Sequence, residues 1–182
     1  MLMKPRHLFV YTEEVYIHVQ LALFNYDAFR NIVNTQETRQ DRKAWMYLQS
    51  FLSHFGMVSK LLYAPSARNA VSKQRAVELQ QHLVTDTASA LNDRGARDAI
   101  EHLDERLDNW LASPDKGVLD SVFESKADFE FIDQSGWIIR RVFLIAEEIF
   151  ITQEADGPKE MELAPIVLEL QRLGTLCAEK LI

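Results

Sequence analysis

The stretch DNWLASPDKGVLDSVF, residues 108–123, is where the chain changes its period. Before it, apolar residues recur every three to four positions, the spacing of a helix with one buried face. Ser113-Pro114 stops that pattern, because the residue before a proline is pushed out of the helical region. After it, GVLDSVFESKADFEFID and GWIIRRVFLI are rich in valine, isoleucine and phenylalanine, with turn residues at Ser125-Lys126 and Gln134-Ser135-Gly136. These read as two or three short strands. VFLIAEEIFIT reads equally well as a short helix. The expected fold is mainly α: one domain, residues 1–182, with a helical part over 1–113. A small β-hairpin or meander over 118–152 is inserted before a last helix over 159–181.

Toward the N-terminus, Val15, Val19, Ala22, Leu23 and Phe29 keep a roughly helical spacing, and Thr12 followed by two glutamates is placed to cap a helix over 12–31. Trp45, Leu48, Leu52, Phe55 and Ser59 mark a second helix, 37–63, ended by Pro65. Residues 66–84 read as a loop with a short helix, and a third long helix spans 87–112 with an interruption near Asn92 to Gly95. The aromatics Phe24, Tyr26, Phe29, Trp45, Tyr47, Phe51 and Phe55 fall at helical spacings and are assigned to helix–helix packing rather than base stacking.

The composition is that of a globular chain: 182 residues, 47% apolar and 26% charged. A net charge of −7 argues against a broadly basic nucleic-acid surface, though not against an enzyme that touches RNA at one small site. No DNA contact is expected. The one cysteine, Cys177, sits in an apolar helical context as a reduced core thiol. No leader-like segment and no membrane-spanning apolar run is read, so a soluble, cytoplasmic protein is expected.

No glycine-rich phosphate loop and no cysteine or histidine cluster with metal-ligand spacing is present, and no metal or cofactor is expected. His7, His18, His54 and His82 are scattered singly. His18 stands four residues after Glu14, a surface-scale pair. Glu147-Glu148 reads as a solvated edge.

RDAIEHLDERLDNW, residues 97–110, leaves two residues that packing does not explain. On a helical wheel Ile100, Leu103, Leu107, Trp110 and Leu111 share the buried sector. Arg97 borders it and His102 points nearly opposite its centre. The plain reading is exposed pairing, Arg97–Glu101 and Asp98–His102, each contributing a few tenths of a kcal/mol.

Arg97-Asp98-Ala99-Ile100-Glu101-His102 also resembles the R-x4-H signature of the HEPN superfamily, including its preference for a polar residue after the arginine. EHLDERLDNW and the earlier block WMYLQSFLSHFGMVSKLLYAP are similar to HEPN-like bacterial proteins, so the resemblance covers roughly residues 10–112 and leaves 118–152 aside. It implies metal-independent RNA cleavage of toxin or defence type. The resemblance implies Arg97 and His102 as the catalytic pair, with Asp98 and Glu101 supporting them. The implied partners are RNA, a second copy of the chain and, in some settings, an antitoxin. Five residues turn a helix by about 140°, so the two side chains of one ideal helix converge poorly. HEPN enzymes resolve this by facing motifs from two subunits. A non-catalytic HEPN-like binding or dimerisation module stands as the alternative.

Overall fold

The computed structural model describes residues 3–63, 70–85, 88–92, 108, 115–132, 136–154 and 157–182. Two long helices make its centre. Helix α1, Pro5–Val33, starts earlier than expected. Pro5 opens it from an extended Lys4, since a proline in the first turn has no N–H to waste and a φ already set for helix. Thr12 is therefore interior, and its hydroxyl donates to the Leu8 carbonyl at 2.8 Å instead of capping. Helix α2, Arg42–Leu62, starts later than expected, because Asp41 is its N-cap and accepts from the Lys43 amide at 2.8 Å.

The two helices pack through Val15, Val19, Ala22, Tyr26 and Phe29 of α1 and Leu48, Phe51, Phe55, Val58 and Leu62 of α2, all buried. The rings of Tyr26 and Phe51 lie 5.2 Å apart. Phe24, expected in this packing, is 67% exposed on the outer face of α1.

Helix α3, Ala70–His82, is the short helix expected over SKQRAVELQQHL, begun two residues earlier. Only Ala76 and Leu79 are buried along it, too few for a clear apolar stripe. It is held by polar ties to the end of α2. Arg75 donates to the carbonyls of Lys60 (2.8 Å) and Leu61 (3.2 Å), and Gln80 to that of Leu62 (2.7 Å), which satisfies last-turn acceptors. Residues 88–92 form a turn and a 3₁₀ turn, Ala90–Asn92, not the expected start of a long helix at 87. The remainder of that expected helix lies outside the described residues, apart from Asp108.

Four strands follow: β1 Gly117–Phe123, β2 Trp137–Leu144, β3 Ile149–Glu154 and β4 Gly157–Glu162, in sheet order 1-2-3-4. β1 and β2 are parallel, joined through the short helix α4, Lys126–Glu130, and the other neighbours are antiparallel. The Ser125-Lys126 turn is thus a helix start with a capping box between Ser125 and Asp128. VFLIAEEIFIT resolves as strand, turn and strand.

The sheet has four strands where a hairpin or meander of two or three was expected. β4 takes residues expected in the last helix, so helix α5 spans Leu163–Lys180. Met161 is the buried residue of β4, and Pro158 is tolerated because β4 is an edge strand.

Alternation sorts the sheet's side chains. Val122, Phe143, Phe150 and Met161 join the helical core, where Phe143 meets Phe29 edge-on at 4.7 Å. Leu119, Ile139, Val142, Leu144 and Ile151 form a second cluster under Phe129 of α4. α5 closes on α1, where a Cβ on Gly174 would lie 3.1 Å from Val19 Cγ1. Cys177 is buried there, and burial raises its thiol pKa to about 11. The described residues are mainly α with one small sheet, and none of their helices is long and apolar enough to cross a membrane.

Candidate functional site

Arg97, Asp98, Glu101 and His102 all lie outside the described residues. Chemistry-bearing side chains do gather at four other places.

The first joins the two central helices. His18 of α1 and His54 of α2 sit at the border between the buried and exposed faces, and each is half-buried. Their Nδ1 atoms are 2.9 Å apart, with ring centroids at 5.2 Å and planes tilted by 39°. Burial, and then the neighbouring His18 ring, lower the His54 pKa. One neutral imidazole therefore presents Nδ1–H to the Nδ1 lone pair of the other. The two histidines, read singly in the sequence, are a contact pair. The sequence carries half of the signal. Each histidine flanks its own helix's apolar stripe, but which flanking residues meet depends on the register between the helices.

At the second place, Arg30 of α1 reaches the turn between β2 and β3. Its Nη1 lies 3.1 Å from Glu148 Oε1 and donates to the Ile145 carbonyl at 3.4 Å, with the guanidinium 5.7 Å from the Phe143 ring centre. Glu148 is an ion-pair partner, not a solvated edge, and sits at φ +53°. Glu147 accepts from the Lys126 amide at 3.1 and 3.2 Å. The Tyr26 hydroxyl is buried, and burial followed by the Glu148 charge pushes its pKa up.

The third place is on the sheet. Arg141 grips Asp120 with a fork, Nε to Oδ1 at 3.1 Å and Nη2 to Oδ2 at 2.6 Å, and lies 5.0 Å from the Trp45 ring centre. Arg140 binds the same carboxylate. Asp120 is opposite Arg141 in the parallel register, just past the irregularity at Leu119/Asp120. Two guanidinium groups on one carboxylate leave net positive charge; Arg141 engages it with its fork and Arg140 through Nη2. This arrangement anchors β1, β2 and α2 to one another.

The fourth place is an open cavity of about 720 Å³ between residues 84, 85 and 88–90 and the first half of α5. Val84, Ala88, Ala90, Pro165 and Leu168 supply apolar lining, with Thr85, Ser89, Glu169 and Arg172 as polar groups. Glu169 and Arg172 satisfy each other through a fork at 2.6 and 2.7 Å, so the cavity presents a neutral polar rim rather than a charged one.

Among the described residues, no three histidine, cysteine, aspartate or glutamate side chains are grouped to hold a metal ion. No protein-family model, curated protein or solved structure matches the chain.

Proposed function

We propose that the chain is a metal-independent endoribonuclease of the HEPN type, of toxin or defence character, acting as a homodimer with Arg97 and His102 as its catalytic pair. The observation that carries this reading is the Arg97-x4-His102 spacing within RDAIEHLDERLDNW, preceded by the WMYLQSFLSHFGMVSKLLYAP block. That block is compatible with a helical scaffold: most of it lies on α2, with Trp45, Leu48, Phe51 and Leu62 buried.

In this reaction the ribose 2′-oxygen attacks the adjacent phosphorus, the P–O5′ bond breaks, and a 2′,3′-cyclic phosphate remains. His102 takes the 2′-OH proton and returns it to the leaving 5′-oxygen, since an imidazole pKa near 6.5 suits proton transfer in both directions at neutral pH. Arg97 donates two hydrogen bonds to the phosphorane oxygens as their charge grows. Asp98 and Glu101 hold the pair, and a second copy supplies the facing motif. An antitoxin is the partner class that fits such an enzyme.

The test is cleavage of single-stranded RNA by tag-free protein in EDTA. His102→Ala should lose about 10²–10⁴-fold in rate, while Glu105→Ala changes little. Equal cleavage by wild type and His102→Ala overturns the reading.

A second reading, a non-catalytic dimerisation module, is favoured by the outer face of α1. Val10 (49% exposed), Ile17 (43%), Leu21 (40%) and Phe24 (67%) form an apolar stripe along it. The occupant that fits is a second copy. In an antiparallel pairing centred on Ile17, Val10 falls opposite Phe24, and the basic end at Arg6 falls beside Asp27. Sedimentation separates the cases: Phe24→Asp with Ile17→Asp should turn a dimer into monomer. A monomeric wild type, or an unaffected dimer, removes this reading.

A further inference from the structure

We infer that His18 and His54 form a two-histidine seat for a divalent transition ion of the copper, nickel and zinc class, which clips α1 to α2. The inference is independent of the ribonuclease proposal, whose assay is run in EDTA.

The argument begins with donor geometry. The facing Nδ1 atoms are 2.9 Å apart. Two nitrogens bound at about 2.0 Å in neighbouring positions of a square-planar or tetragonal ion are about 2.8–2.9 Å apart. Around a tetrahedral zinc at about 2.0–2.1 Å they are about 3.3–3.4 Å apart. With the ring centroids 5.2 Å apart, the two Nδ1 lone pairs point along one line at each other, so both rings must turn before they converge on an ion in either geometry.

The helices that carry the donors are held in place. His18 lies between Val15, Val19 and Ala22, and His54 between Phe51, Phe55 and Val58, all fully buried in one packed core. Little conformational freedom is lost when an ion bridges the rings, which is where flexible two-ligand sites lose most of their affinity.

Protonation state and access are favourable too. Metal binding needs neutral imidazole, and burial already disfavours the charged form of His54. When both rings are neutral, entry of the ion requires no net proton release. The histidine that carried its proton on Nδ1 shifts it to Nε2, and both Nδ1 lone pairs face the ion. Both residues are half-buried, so one side of the site opens to water. Because no third ligand joins the pair among the described residues, solvent completes the coordination sphere. Two nitrogen donors select borderline ions over oxygen-seeking magnesium and calcium, with copper(II) ahead of nickel(II) and zinc(II).

The experiment uses the full, tag-free chain, with copper(II), zinc(II) and magnesium(II) chlorides as probes. Calorimetry should give one zinc site per chain that magnesium does not occupy. Thermal unfolding should move upward, since free ion at one hundred times Kd raises the folded-to-unfolded ratio about a hundred-fold. His18→Gln and His54→Gln should each weaken binding at least ten-fold while keeping the wild-type circular dichroism. His7→Ala, His82→Ala and His102→Ala should bind as wild type does. Electron paramagnetic resonance of the copper form should show two coordinated nitrogens in wild type and one in each glutamine variant. Three results would each overturn the inference: no zinc-dependent shift in wild type, binding unchanged in either glutamine variant, or binding lost in the His102 variant instead.

Discussion

Gln40 closes the open edge of the sheet by binding both backbone groups of Val122. Its Nε2 donates to the Val122 carbonyl at 2.7 Å, and its Oε1 accepts from the Val122 amide at 3.1 Å. A side-chain amide thus takes the place of a neighbouring strand at Val122 on β1, the edge strand of the described sheet. Val122 is 3% exposed, so water cannot easily replace the lost partner. Gln40→Ala should therefore destabilise the protein by about 1–3 kcal/mol, the cost of leaving buried backbone groups unsatisfied. Gln40→Glu removes only the donor and should lie between. Urea unfolding of the three proteins checks the order.

Asp120 holds two guanidinium groups, Arg140 and Arg141, on adjacent residues of β2. Asp120→Asn keeps the shape and removes the charge that compensates both. These groups are partly exposed, at 19% for the Asp120 side chain, 35% for Arg140 and 21% for Arg141, so solvent screens part of the loss. The expected cost is about 1–3 kcal/mol, below that of breaking a fully buried pair. Arg141→Lys should also destabilise, because an ammonium cannot reproduce the fork to Asp120 and the stacking on Trp45 together. The midpoint of chemical unfolding reads both effects.

The parts of the fold legible in the sequence are those where one face decides the residue pattern. Val15, Val19 and Ala22 on α1, and Leu48, Leu52 and Phe55 on α2, declare their helices by spacing alone. Helix α3 does not, because only Ala76 and Leu79 are buried and its support is hydrogen bonds from Arg75 and Gln80. Strand β4 is hidden because Met161 also fits the three-to-four spacing of the helix that follows it. The Arg30–Glu148 and His18–His54 contacts depend on how elements 118 and 36 residues apart are brought together, which local spacing does not encode. The Arg97…His102 motif is legible as spacing within one segment, but its placement depends on residues outside those described.

His82 gives the stability a pH dependence with a definite sign. Its pKa is lowered from 6.5 by burial and by the charge of Lys180 on α5. The unfolded chain therefore binds a proton at a higher pH than the folded chain does. Stability from this group is complete above about pH 6.5, falls as the pH drops from there toward the lowered pKa, and levels off below it. His82→Gln should lose this component. Unfolding midpoints at pH 7.5 and pH 5.5 should thus differ less in the variant than in wild type, with both measured in EDTA. Equal differences in the two proteins would remove His82 as the source.

Val84 sits just after α3 at φ +48°, in the left-handed region. A β-branched residue there is crowded against its own backbone, at a cost of about 1–2 kcal/mol. At 71% exposure it recovers little of this by packing. The Thr85 amide donates to the Gln80 carbonyl at 3.0 Å and the Leu83 amide to that of Leu79 at 2.8 Å, so these backbone bonds help hold the turn in place. Asparagine tolerates this conformation with only its ordinary chain entropy. Glycine tolerates it best, but loses about 0.5–1 kcal/mol through the freedom it gains when unfolded. Val84→Asn should therefore stabilise the protein by about 1 kcal/mol, and Val84→Gly should stabilise it less. Val84→Ile keeps the branching and should leave stability unchanged. Thermal unfolding at one pH and one protein concentration ranks the four. If the asparagine variant melts below wild type, the left-handed turn is not a source of strain in solution.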